Sequence, residues 1–342
     1  MLIIVSAKPR ISLVCLFMMS AKSPTAMASS AVTKPNVSTF AALAQMVIFS
    51  IIQINPFVYI LLVLYMLFNA KYLVRQVIFV MSIGISTASL YPENTETALD
   101  FLGKSGVLCA EIFFNAECET FPDFVRELVR IKNYYGMKIT SVHPFTSSFE
   151  AYLLFSDYKR RFEDGVNLYC RYSEIAAELG AGIVVLHGDR YVKSSPLSAQ
   201  VYTERFLELD HAMRKNGAVL TQENVNNYRA GYPEFIQQMR QFSGDTVKFT
   251  LDIKQSVRAG YTPNIIMNAM GIENIAHVHL SDHNKGADCL LPTCGEYDFK
   301  GLFEKLCAGG YKGDCVVEVY KSAYENRKEL IEKYKDLTHM CS

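Results

Sequence analysis

Eight short β-rich runs alternate with eight amphipathic stretches from Met81 onward, and this alternation restricts the fold more than any other feature of the chain. The runs are SIGIS (82–86), VLCAEIF (107–113), KITSVH (138–143), GIVVLHG (182–188), AVLTQEN (218–224), VKFTLD (247–252), IAHVHLSD (275–282) and DCVVEVY (314–320). Helical patterns fill roughly 93–105, 120–135, 157–179, 198–216, 232–242, 263–270, 299–309 and 323–337. In FVRELVRIKNYYG (124–136) apolar residues recur every three or four positions and the run stops on a glycine, as a helix does. Strands that alternate with helices make a parallel sheet. Eight such units in 262 residues have the size of a TIM barrel. A doubly wound sheet would carry a glycine-rich turn after its first strand, and STASLYPEN (86–94) has no glycine. The expected fold is therefore α/β, a (β/α)8 TIM barrel over 81–342 preceded by a hydrophobic extension over 1–80.

The extension differs in composition. Residues 1–80 contain six of the chain's 34 basic residues and none of its 34 acidic ones, which leaves 28 against 34, a net of −6, downstream. No charge occurs from Pro35 to Ala70, and FVYILLVLYMLF (57–68) is unbroken apolar. A membrane helix needs about 20 such residues. Three readings stand side by side: an anchor flanked by Lys71 and Arg75, a targeting segment, or sequence upstream of the true start, since Met81 opens the first strand. The anchor reading confines membrane contact to residues 41–70. Nine cysteines are scattered without CxxC spacing, which suits free thiols in a reducing compartment and a cytoplasmic catalytic domain.

Barrel enzymes work at the carboxyl ends of their strands. Six consecutive strands end here in a residue that can bind a divalent ion: His143, His187, Glu223, Asp252, His279 and Glu318, separated by 44, 36, 29, 27 and 39 residues. Alternate residues of a strand face opposite ways, so His277, His279 and Ser281 share one face, and Ala276, Val278 and Leu280 share the other. The carboxylates with an imidazole form a hard O/N donor set suited to Mn²⁺, Mg²⁺, Co²⁺ or Zn²⁺. A cation is the natural remedy for their mutual repulsion.

TQENVNN (221–227), LDIKQ (251–255), HVHLSD (277–282) and VVEVY (316–320) resemble the xylose isomerase-like TIM barrel superfamily, which includes sugar phosphate isomerases and epimerases, inosose dehydratases and, more distantly, endonuclease IV. The resemblance spans 81 to about 338. It implies one divalent ion on Glu223, Asp252, His279 and Glu318. It also implies that Glu223 and Glu318 act as acid and base, moving a proton beside a carbonyl through an enediolate. His143, His187 and Gln255 are candidates for substrate contact or a second metal, and His277 and Asp282 for support from behind the ligands. The nuclease branch needs a His where Gln255 stands and an Asp-x-His where LLPTC (290–294) stands, and the net acidity suits a DNA backbone poorly. The expectation is thus an isomerase or epimerase of a small carbohydrate, with a dehydratase or a phosphodiesterase-type nuclease as alternatives and the oligomeric state open. Phe114, Phe145 and Tyr228 are candidate sugar-stacking rings, Glu111 ends the second strand inward, and Lys254 and Arg229 sit in strand–helix connections.

Overall fold

The computed structural model describes residues 81–190 and 195–341. The extension over 1–80, with its three readings, lies outside the described residues. Among the described residues, no helix is long and apolar enough to cross a membrane.

Eight parallel strands close a barrel: β1 (Ile83–Ser86), β2 (Cys109–Phe113), β3 (Lys138–His143), β4 (Ile183–Leu186), β5 (Val219–Glu223), β6 (Lys248–Asp252), β7 (Ile275–Leu280) and, after a hairpin, β10 (Cys315–Val317). Around the ring the order is β1, β10, β7, β6, β5, β4, β3, β2. The hairpin that sequence patterning did not anticipate pairs β8 (Asp282–Asn284) with β9 (Ala287–Leu290), antiparallel, above the end of β7. The major helices are α1 (Thr95–Lys104), α2 (Pro122–Tyr135), α4 (Lys159–Leu179), α5 (Ala199–Arg214), α6 (Pro233–Ser243), α8 (Pro263–Met270), α9 (Phe299–Ala308) and α10 (Arg327–Cys341). Of two short helices, α3 (Glu150–Leu153) follows β3 after a 3-10 turn over Phe145–Ser148, and α7 (Ile253–Arg258) follows β6 directly.

Local chemistry sets these boundaries. Pro122, Pro233 and Pro263 open α2, α6 and α8, where a missing N–H costs nothing. Gly136, Gly180 and Gly244 close α2, α4 and α6 in the left-handed conformation that only glycine adopts without strain. Outward strand residues such as Leu220, Leu251, Val278 and Leu280 are fully buried against the helices. Cys109 and Cys315 are buried free thiols, as expected, and burial pushes the Cys109 thiol up to about 12.

The barrel interior is polar. Glu111, Ser141, His143, Thr221, Glu223, Thr250, Asp252, His277 and His279 are all buried, where such barrels usually hold branched aliphatic side chains. Strand register decides which of them meet. Asp252 lies beside His279, Thr250 beside His277, and Glu223 beside Thr250. On the other flank His279 lies beside Val316, so Glu318, two residues on, faces the same way one step nearer the mouth.

Candidate metal centre

One turn of chain does two jobs at the end of β6. Asp252 is the last strand residue and also the N-cap of α7, its Oδ1 accepting from Gln255 N at 2.7 Å. That bond fixes the carboxylate and leaves Oδ2 toward the barrel axis. Asn224 locks the same residue from β5, its Oδ1 accepting from Asp252 N (2.7 Å) and its Nδ2 donating to Asp252 O (3.0 Å).

Glu223, Asp252, His279 and Glu318 each offer one donor atom, and the four atoms lie within 4.8 Å of one another. His279 Nδ1 is the centre of the group: it is 3.2 Å from Glu318 Oε2, 3.4 Å from Glu223 Oε1 and 3.6 Å from Asp252 Oδ2. Donor atoms at bonds of about 2.1 Å around one ion stand roughly 3.0–3.5 Å apart in octahedral or tetrahedral shells, so the spacing suits a single divalent ion. Nδ1 is buried with no hydrogen-bond partner, and a buried donor set that leaves a ring nitrogen unmatched fits a cation better than it fits itself.

The other ring nitrogen is occupied. His279 Nε2 lies 3.1 Å from Glu111 Oε2. The same oxygen accepts from Ser141 Oγ (2.8 Å) and lies 3.2 Å from His277 Nε2. A carboxylate behind a histidine fixes its tautomer and sharpens its basicity toward an ion. Glu111, whose role sequence reasoning left open, thus lies directly behind His279, and His277 reaches the same carboxylate oxygen. The inward Glu on β2 was the available signal. What hid its role was the register shift between Ala110 and Glu111, which brings Glu111 level with Ser141.

His143 and His187 approach the quartet from the other side. His187 Nε2 is 2.9 Å and His143 Nε2 3.6 Å from Glu223 Oε2, and these three residues form a second group of possible ligands that shares Glu223. Phe113 stacks on His143 with centroids 4.3 Å apart. Gln222 Nε2 donates to the carbonyls of Leu186, His187 and Glu223, while its Oε1 accepts from Tyr202 Oη at 2.5 Å. Gly188, at φ +88°, leaves no room for a Cβ beside Tyr202. Gly188→Ala should therefore cost about 1–3 kcal/mol, read as a lower unfolding midpoint in urea; a variant as stable as the parent would show that this turn does not constrain His187.

Buried charges compensate one another. Burial opposes the charge of Glu111, but the His279 and His277 imidazoles outweigh it and hold the carboxyl well below its usual range. Glu223 is likewise held well below, against burial, by His187, His143 and His279. Burial would lower the His279 pKa, yet Glu111 and Glu318 keep it well above 6.5. Lys254, placed by the sequence in a strand–helix connection, is only 2 % exposed. Its Nζ lies 2.6 Å from Asp252 Oδ2 and 2.7 Å from Glu318 Oε2. Those carboxylates hold its pKa well above 10.5 despite burial.

Above the quartet is a cavity of about 320 Å³ lined by His187, Glu223, Lys254, Gln255, Glu318 and, on its aromatic side, Phe113, Tyr91 and Tyr320. Phe114 does not reach it, because Phe114 is fully buried near Tyr172. Phe145 packs on the core, and Tyr228 stands edge-on to His187 at 5.8 Å. Gln255 Oε1 accepts from Asn226 N (3.1 Å). Asp282 stands apart from the quartet, accepting from the backbone N–H groups of His283, Gly295 and Tyr297, and so anchors the hairpin loop. Arg229 pairs with Asp189 and donates to Leu197 O.

Comparison with known proteins agrees with this architecture. An uncharacterized protein of Mycobacterium leprae is 24% identical over 275 residues, 73% of this chain and 92% of its own. D-psicose 3-epimerase of Clostridium cellulolyticum H10, solved with D-tagatose, superposes with a TM-score of 0.62 at 15% identity, covering 76% of this chain and 98% of that one. The IolI protein, solved with a zinc atom, superposes at 0.61 with 15% identity, covering 76% and 98%. At these identities the two structures establish the shared fold. The family described as xylose isomerase-like TIM barrel matches residues 90–337, and the chain belongs to that family.

Proposed function

We propose that the protein is a divalent-metal-dependent isomerase or epimerase of a sugar, sugar phosphate or cyclitol. The observation that carries this reading is His279 Nδ1, buried without a hydrogen-bond partner among three carboxylate oxygens. Glu223, Asp252, His279 and Glu318 would hold the ion, which supplies Lewis-acid polarisation to substrate oxygens. The epimerase and the zinc-bearing protein among the structural relatives support the same reading.

Glu223 and Glu318 stand at the two ends of the arc β5–β6–β7–β10. A substrate between them offers opposite faces of one carbon to two carboxylates. One takes the proton beside the carbonyl, giving an enediolate, and the other returns a proton to the opposite face or to the neighbouring carbon. His187 and His143 flank Glu223 and accept or supply its proton. Gln255 faces the cavity as a contact for a substrate hydroxyl. The cavity, at the small end for ligand sites, admits one small polyol.

The test is to incubate Mn²⁺-loaded protein with ketoses, their phosphates and inososes in deuterated water. Deuterium at the carbon beside the carbonyl is the expected result, and its absence from every substrate would sink the proposal. An inosose-type dehydratase uses the same two carboxylates but expels a hydroxyl, so loss of water from the product separates it. The group His143, His187 and Glu223 favours a second reading, a two-ion phosphodiesterase. Metal analysis discriminates: about one ion per chain is expected for the isomerase and about two for the phosphodiesterase.

Loading must also displace a proton, because Glu111 and Glu318 keep His279 protonated well above pH 6.5. Mn²⁺ affinity should therefore rise with pH through neutrality, and proton release should appear as buffer-dependent heat in calorimetry. A pH-independent affinity with no released proton would remove His279 from the ligands.

A further inference from the structure

Resting on the reading of the quartet as an ion site, we infer that Lys254 is a built-in competitor for that site: its ammonium and a divalent ion need the same two carboxylate oxygens, and ion binding moves Lys254 out to the ligand cavity. The two oxygens that Nζ contacts, Asp252 Oδ2 and Glu318 Oε2, are the ones that face His279 Nδ1. Asp252 has no spare oxygen to offer, since its Oδ1 caps α7 through Gln255 N.

An ammonium at 2.6–2.7 Å from both oxygens occupies directions that an ion would need. Like charges at contact distance in a buried site repel by several kcal/mol, so the ammonium and the ion separate. Lys254 has somewhere to go. Its Nζ is already 5.4 Å from the ring centroid of Tyr320, a residue 43% exposed that lines the cavity together with Lys254 itself. The face of a tyrosine is a favourable seat for an ammonium, and a lysine stem has the flexibility to reach it. Seated there, Lys254 presents up to three N–H donors to an oxygen of the ligand, which places ligand recognition under the control of ion binding.

The experiment labels amines in the intact protein with acetic anhydride, without and with saturating Mn²⁺, and maps acetylation by peptide mass spectrometry. Labelling of Lys254 should rise about tenfold or more with Mn²⁺, while that of Lys321 stays constant. In parallel, Lys254→Met should bind Mn²⁺ about tenfold more tightly than the parent, because the competitor is gone. If calorimetry shows Mn²⁺ binding while Lys254 labelling does not change, the displacement is wrong and the quartet reading stands. Weaker Mn²⁺ binding by Lys254→Met overturns the competition in the same way. Failure of the parent to bind Mn²⁺ at all overturns the quartet reading with it. The labelling arm uses the unmodified protein and decides the matter even if the variant does not fold.

Discussion

Glu223→Gln and Glu318→Gln will each stop metal-dependent exchange of the substrate's carbon-bound proton, by about 10²–10⁴-fold, in a protein that still folds. Glutamine keeps the shape and one acceptor oxygen but cannot take a proton. At position 223 the loss is compounded, because His187 Nε2 at 2.9 Å and His143 Nε2 at 3.6 Å lose the anion that they flank. At position 318 the partner of Lys254 is lost as well. Exchange is measured by deuterium incorporation, and folding by circular dichroism. If either variant retains parental exchange, the two-carboxylate assignment is wrong. If only one is inactive, a single carboxylate serves both steps.

Glu111→Ala is the second change with a large expected effect, and it acts without touching substrate. The Glu111 side chain is fully buried, and one of its oxygens serves His277, His279 and Ser141. Removing one partner from a buried charge network costs about 3–5 kcal/mol. For a domain of this size that lowers the melting temperature by roughly 10 °C. Mn²⁺ affinity should fall about 10–100-fold, the usual consequence of losing a carboxylate behind a metal-binding histidine. Glu111→Gln, which keeps an acceptor, should recover most of the stability and less of the affinity. A Glu111→Ala protein with parental melting temperature and Mn²⁺ affinity would reduce Glu111 to filler.

Strand positions were legible because period and parity are local properties. The strand ends expected at His143, Glu223 and Asp252 coincide with the ends of β3, β5 and β6, and His187 and Glu318 each lie one residue beyond theirs. Parity turned these strand ends inward, and the family resemblance singled out Glu223, Asp252, His279 and Glu318, whose donor atoms lie together in the structure. Three features could not be read. The partner of His277 depends on a register shift in β2, which has no compositional signature. The burial of Lys254 depends on α7 starting immediately after Asp252, which turns the next side chains back over the mouth. Phe113 and Phe114 are adjacent aromatics, and only the true end of β2 decides that Phe113 lines the cavity while Phe114 enters the core.

The doubled role of Asp252 limits how this site can be altered. The Asp252 carboxylate begins a helix and, on the proposed reading, would also hold the ion, so Asp252→Ala would forfeit about 1 kcal/mol of capping along with the charge. Asparagine caps helices as well as aspartate does, so Asp252→Asn should keep the cap but lose the buried pair with Lys254, which lowers the unfolding midpoint while weakening Mn²⁺ binding. Position 252 therefore favours residues that can begin a helix. Glu223 and Glu318 begin no helix, so substitutions there probe the charge of the site without disturbing a cap.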